Sequence, residues 1–275
     1  MLKKNKSDII SIIGYGRLGA SLSFALFKKR YKVYIYSKEI EKKLLPKKYF
    51  FNNLMQAIKI ANVIFICVPD EIIDNIVNTI VNFNLNLNEK IFYHTSGSKS
   101  SSSLEKLKKT NAFIASFHPL QTFPHPKTSL KTWHNLYCVL EGDDAAIKKA
   151  CQYCNELKCK YLILNKENKL LYHASAVVAS NFLVLLIHIS QTIASYAGID
   201  KNTFDKLYFP LVKTTLQNIE KFGLNKSLSG PLVRKDYDTL FQQVNKIKEK
   251  NKILSSLYDL FIEYYNNYFL PKNDP

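Results

Sequence analysis

Apolar positions along the first 165 residues recur in two alternating rhythms. Short β-branched runs predict strands at Asp8–Ile13, Lys32–Tyr36, Ala61–Val68, Lys90–Tyr93, Ala112–Ser116, Leu136–Leu140 and Tyr161–Leu164. Helical spacing appears between them. Leu18, Leu22, Ala25 and Leu26 share one face, as do Ile72, Ile73, Ile76, Val77, Ile80 and Val81. The second group predicts a helix over Asp70–Val81, with Asp70 as its N-cap. "SSLEKL" opens another, because Ser102 and Glu105 stand at capping-box spacing. Strands alternating with helices imply a parallel sheet with crossover helices on its faces.

From Lys166 onward the rhythm changes. No strand pattern follows, only helical ones over about 167–197, 201–222, 236–249 and 251–269, punctuated by Gly198, Gly223 and Ser229-Gly230-Pro231. The expected organisation is an α/β domain over 1–166 and an all-helical domain over 167–275. The most apolar stretch, "ASAVVASNFLVLLIHIS", follows His173 and carries Asn181 and His188. Crossing a membrane takes roughly 20 uninterrupted apolar residues, so this stretch predicts a helix buried in protein and no membrane partner. Phe204, Leu207, Tyr208, Phe209, Leu257, Phe261, Tyr264 and Tyr265 give the helical domain more apolar surface than one small domain buries. That predicts a homodimer.

Composition adds a few constraints. The chain has 275 residues, 47% of them hydrophobic, which suits one large or two modest folded domains. Its net charge of +17 raises the question of nucleic acid. The 39 lysines and arginines are spread along the whole chain, and no stretch interleaves them with aromatic residues. A diffusely basic surface with no specific nucleic-acid partner is the expectation. The start of the chain runs straight into a strand pattern without a signal peptide, and five cysteines fit no complete pairing scheme. Both point to a cytoplasmic protein with reduced thiols. Cys151-x-x-Cys154 with Cys159 lacks a histidine at zinc spacing, so no metal site is predicted.

The candidate chemistry begins at "IIGYGRLGA", residues 12–20. Gly14, Gly16 and Gly19 follow the first strand and open the first helix, and "KVYIYS" completes a β-α-β unit. Gly14 permits a tight turn, Gly16 lets a pyrophosphate approach the backbone, and Gly19 lets helix and strand pack closely. Tyr15, Arg17 and Leu18 complete the loop, and the helix start offers free N–H groups to phosphate. This predicts a dinucleotide site. The second strand ends in Ser37-Lys38, a hydroxyl and an ammonium suited to the 2′-phosphate of NADP. Glu39, one position on, is the acidic residue that another register would offer to NAD.

Three more strands should end at the same sheet edge. Val68-Pro69-Asp70, His94-Thr95-Ser96-Gly97 and His118-Pro119-Leu120-Gln121 then stand where ligands bind in open α/β sheets. Each has a bland reading beside the functional one: Asp70 as a helix cap, the threonine and serine as a polar turn, His118 as a histidine kept extended by Pro119. His125 and His134 read as surface residues. In the helical domain, His173 and Asn181 are eight residues apart, about 80° around an ideal helix, on one broad face with Ser180. His173 is a candidate proton donor to a carbonyl oxygen or imine nitrogen, or else half of a structural His–Asn pair. Arg234 is a candidate carboxylate clamp, and Asp236 either lines the site or caps the next helix.

Read in order, "VPD", "HTSG", "FHPLQTF", "YHASAVVASN" and "SGPLVRKD" resemble a family of NADP-binding oxidoreductases that pairs a Rossmann-like domain with a C-terminal domain of unknown function, DUF2520. The resemblance covers nearly the whole chain. It implies a Rossmann-like, mostly parallel sheet followed by an all-α domain, with kinship to ketopantoate reductase, pyrroline-5-carboxylate reductase and the 6-phosphogluconate dehydrogenase C-terminal fold. In those reductases a lysine and an asparagine on the corresponding helix assist proton transfer and hold substrate. Here the lysine place is read as His173 or as absent. The expected function is an NADP-dependent oxidoreductase that reduces a small carbonyl or imine metabolite between its two domains. The rival is a non-catalytic NADP(H) sensor.

Overall fold

The computed structural model describes residues 7–38, 44–123 and 130–269. Eight strands form one sheet in the order β3-β2-β1-β4-β5-β6-β7-β8. They are β1 (Ile9–Ile13), β2 (Lys32–Tyr36), β3 (Phe50–Phe51), β4 (Val63–Ile66), β5 (Ile91–His94), β6 (Phe113–Leu120), β7 (Tyr137–Gly142) and β8 (Lys160–Ile163). Helices α1 (Arg17–Lys28), α2 (Leu54–Ile60), α3 (Asp70–Asn82), α4 (Glu105–Lys108) and α5 (Asp144–Leu157) connect them. Every pair of neighbouring strands is parallel except β6 and β7.

Alternate side chains on the strands feed two separate cores, the two-residue period of an extended chain. Ile10, Ile12, Val33, Phe65, Tyr93 and Phe117 pack on one face with Leu22 and Leu26 of α1 and Tyr153 of α5. Ile13, Ile64, Ile66, Phe92 and Ile114 pack on the other with Ile58 of α2 and Ile73 and Val77 of α3. Covering both faces is what lets the strands read as continuous apolar runs. The five cysteines are free thiols, and Cys138, Cys154 and Cys159 are buried.

Two local expectations are corrected. The "SSLEKL" turn enters as a 3-10 segment, Ser101–Leu104, before α4, and no side chain caps α4. The preceding Ser101 anchors this turn, its N–H and hydroxyl both bound to buried Glu141. Pro69, not Asp70, occupies the N-cap position of α3. β3 and α2 carry no counterpart among the expected elements.

The chain divides into two compact units, Met1–Val177 and Val178–Pro275. The first keeps α6 (Lys169–Val177) with the sheet. The second consists of a π-helical turn at Val178–Phe182, α7 (Leu183–Tyr196), α8 (Lys201–Phe222), α9 (Leu224–Ser227), α10 (Tyr237–Lys250) and α11 (Lys252–Tyr264), closed by a π turn at Tyr265–Phe269. Asp200, Asp236 and Asn251 cap α8, α10 and α11 through their side chains. The expectation that the apolar stretch is a buried helix fails within this chain: Val184 is 65% exposed and Leu185 55%. Leu183, Leu186 and Ile187 of α7 line one cavity with Phe204, Tyr208 and Leu211 of α8.

Candidate functional site

The glycine loop has the geometry its spacing demands. Gly14 sits in the left-handed region at φ +94°, and a Cβ there would lie 2.5 Å from the Cys67 carbonyl oxygen. A Cβ on Gly19 would collide with the Gly14 carbonyl oxygen. Gly16 differs: it is exposed, and a Cβ there would meet nothing within 4 Å. The turn is therefore packed from below and open above. Gly16 is the N-cap of α1, and no side chain caps that helix end. Arg17, Leu18 and Gly19 form its first turn, whose N–H groups have no intrahelical acceptor. Their partial positive charge and the helix dipole make this an anion seat. The loop fits a pyrophosphate.

Its flanks are tied in place. Tyr15 is buried and its hydroxyl accepts a hydrogen bond from the Leu44 N–H at 3.0 Å. The Tyr15 N–H donates to the Ser37 hydroxyl at 3.3 Å, which brings the end of β2 against the loop. Lys38 beside it is exposed. Glu39 lies outside the described residues.

The register aligns the other strand ends. Ile13 pairs with Tyr36 and Ile66, Ile66 with His94, and His94 with Ser116. Val68 and Pro69 lead into α3, and the Asp70 carboxylate accepts from Ser96 Oγ at 2.7 Å and Ser98 Oγ at 2.6 Å. Those two serines take the place of the expected cap bond, so Asp70 links α3 to the turn after β5. Thr95 and Ser96 are buried and directed inward: Thr95 bonds the Ile66 carbonyl, and Ser96 accepts from the N–H groups of Ser98 and Lys99.

Gly97 ends that turn under two imidazoles. A Cβ on Gly97 would collide with Cδ2 of His173 and lie 2.8 Å from Nε2 of His118. The two rings stand 6.2 Å apart at 70°. His118 Nδ1 is 2.8 Å from the Tyr172 hydroxyl, and the Tyr172 ring meets the His118 ring edge-on. Beneath them the Lys169 ammonium, 1% exposed, contacts the Ser116 hydroxyl and stands 3.9 Å from Glu141 Oε1. His94 is fully buried; its Nδ1 accepts from the Ser96 N–H, and its Nε2 has no partner among the described residues.

Burial and charge tune this group. Burial, then the Lys169 cation, hold His94 down to about 4. His118 is held down to about 4 by burial, then Lys169, then His173. Burial pulls Lys169 down to about 8, with Glu141 and Asp70 opposing. Burial pushes Tyr172 up to about 12. At neutral pH His94 and His118 are therefore neutral imidazoles and Tyr172 a phenol, beside a buried lysine held down to about 8.

The structure gathers Asp70, His94, Thr95, Ser96, Gly97, His118 and His173 at one edge. Gln121 is exposed and its side chain accepts from the Thr122 N–H. Asn181, Arg234 and Asp236 belong to the second unit. Asp236 caps α10, accepting from the Thr239 N–H. Asn181 lies in the π turn, whose five-residue spacing ends the uniform 100° advance on which a face shared with His173 rests. His134 is half-buried, and His125 lies outside the described residues.

Lys169, Tyr172, Ser116 and Glu141 are the members missed. A signal existed: Lys169, Tyr172 and His173 stand at i, i+3 and i+4, one face of α6. A lysine is thus present one turn before His173, where none was expected.

Residues 2–119 match the Rossmann-like domain and residues 136–264 match DUF2520, a domain of unknown function. The chain is a Rossmann-like protein with a DUF2520 domain. Among solved structures, TM1727 from Thermotoga maritima is 27% identical, with a TM-score of 0.72 over 94% of this chain and 97% of that one. An imine reductase from Myxococcus stipitatus in complex with NADP+ is 13% identical, with a TM-score of 0.69 over 94% of each chain. Pyrroline carboxylate reductase from Plasmodium falciparum with NADP bound is 12% identical, with a TM-score of 0.64 over 94% of this chain and 98% of that one. At these identities the two reductases speak to the fold. No curated protein matches.

Proposed function

We propose that this Rossmann–DUF2520 chain is an NADP(H)-dependent oxidoreductase that reduces a small carbonyl or imine compound. The observation that carries the reading is the glycine loop, closed beneath by Gly14 and Gly19 and open above Gly16. A nicotinamide cofactor supplies the hydride when bound. The first turn of α1 holds the pyrophosphate, and Ser37 with Lys38 favours a ribose 2′-phosphate over a free hydroxyl. The imidazole edge at Gly97 then lines the reacting end, where His118 and His173 offer N–H groups to a carbonyl oxygen or imine nitrogen. The solved reductases of the same fold that carry NADP agree with this reading. We also propose a homodimer formed through the second unit, whose exposed Leu185, Phe209 and Phe261 need cover.

Gly16→Val tests the cofactor assignment. The new side chain enters space that the protein leaves empty, so folding should be unaffected while NADPH binding is lost. Melting temperature and NADPH fluorescence titration report the two halves. Unchanged affinity overturns the assignment.

A further inference from the structure

The hydrogen bond between His118 and Tyr172 has a direction, and chemistry decides it. A neutral imidazole carries one N–H, on either Nδ1 or Nε2. Nδ1 lies 2.8 Å from the Tyr172 hydroxyl, so one of the two groups must donate. A phenol is a far stronger acid than an imidazole N–H, and an imidazole nitrogen lone pair is the stronger base. The favoured arrangement has Tyr172 donating and Nδ1 accepting. The proton of His118 is then on Nε2. That atom lies beside Gly97, 2.8 Å from where a Cβ there would stand.

We propose that Tyr172 is a positioning residue that holds His118 as its Nε2–H tautomer, a fixed hydrogen-bond donor aimed at the reacting oxygen or nitrogen of the substrate. His118 acts as a neutral electrophile: it polarises the bond that accepts hydride and keeps its own charge state unchanged. The buried Lys169 cation supports this role, because a second positive charge nearby is disfavoured. Gly97 is needed because a side chain there would collide with the rings of both His118 and His173. The same bond pattern recurs at His94, whose Nδ1 accepts from a backbone N–H. His94 is fully buried, whereas His118 is only partly so, which makes His118 the candidate of the two.

The tautomer assignment stands on its own; the substrate role rests on the reductase reading. Long-range 15N–1H spectra of the whole protein decide the first, with His118→Gln identifying the His118 signals. The wild-type protein should show a pyridine-like Nδ1 and a pyrrole-like Nε2 at pH 7, and Tyr172→Phe should move both toward the averaged values of exchanging tautomers. A pyrrole-like Nδ1 in the wild-type protein overturns the proposal whether or not the variant folds. Turnover of NADPH with a small cyclic imine or a 2-oxo acid decides the second. His118→Gln keeps an N–H near the Nε2 position and should retain at least tenfold more turnover than His118→Ala, while NADPH affinity stays equal. Equal turnover in the two variants overturns the donor role. Absence of turnover in the wild-type protein overturns the reductase reading and the substrate role together, and leaves the spectra to decide the tautomer.

Discussion

The two units spend similar apolar sequence in opposite ways. In the sheet unit Ile10, Ile12, Phe65 and Phe92 have no exposure, because strands are sandwiched between helices of the same unit. In the helical unit Leu185 is 55% exposed, Leu260 57% and Ile253 73%. Leu183, Leu186 and Ile187 on α7 line a cavity shared with α8, while Val184 is 65% exposed on the same helix. A hydropathy pattern states that a face needs cover. It does not state who provides it.

That contrast can be broken most severely through association. If a second copy covers the helical unit, wild-type protein at micromolar concentration should scatter light as a dimer. Leu185→Asp or Phe261→Asp should give a monomer, since an unpaired carboxylate in an apolar interface costs several kcal/mol. A monomeric wild type refutes the dimer.

The sheet unit should instead lose stability through protons. His94 and His118 are held down to about 4 in the folded chain, against about 6.5 when unfolded. Between those values the unfolded chain binds more protons, so stability is complete above about pH 6.5 and falls as pH drops toward 4. Each pK unit corresponds to about 1.4 kcal/mol, so the two histidines together should withdraw several kcal/mol. Calorimetric melting from pH 7 to 4.5 should show this decline, and His94→Asn should flatten it. A melting temperature that is constant over that range contradicts the assigned burial.

The mildest test asks whether the sheet unit alone chooses the cofactor. Ser37→Asp with Lys38→Ala removes the proposed phosphate contacts and adds a ribose acceptor. The preference for NADPH over NADH should shrink about tenfold or more, the value of one charge-assisted contact. Equal weakening toward both cofactors would show that this strand end does not read the ribose.

Much of the fold was legible in the sequence. β2 falls on Lys32–Tyr36 and α8 on Lys201–Phe222, as the periodicity predicts. β3, at two residues, is too short to alternate, and α2 has only seven. The reversal of β7 is invisible in hydropathy, which has no direction, although the lack of a helical pattern before it was a clue. The glycine loop was legible because Gly14 and Gly19 each answer a backbone constraint and Gly16 leaves the space above the turn open. The imidazole group was legible only in part. His118 and His173 are rare residues that attract notice, whereas Lys169 is one of 39 basic residues, marked only by sharing a helix face with Tyr172 and His173. Tyr172 had meaning only once β6 and α6 were brought together. Asp70 was misread because a carboxylate beside a helix start usually bonds that helix, and here two serines of the next strand turn claim it.

The reversed strand has a mechanical consequence. β5 stops at His94, opposite Ser116, yet β6 runs on to Leu120. A parallel neighbour would have to leave the sheet at that rim to reach its crossover helix. β7 arrives there instead, and pairs His118 with Val139, Pro119 with Cys138 and Leu120 with Tyr137. The last residues of β6 thus form a cantilever, braced by a ladder on one side and running past the end of β5 on the other. His118 stands on that overhang, stiffened by main-chain bonds where a loop would sway, with its ring held against Tyr172 and Gly97.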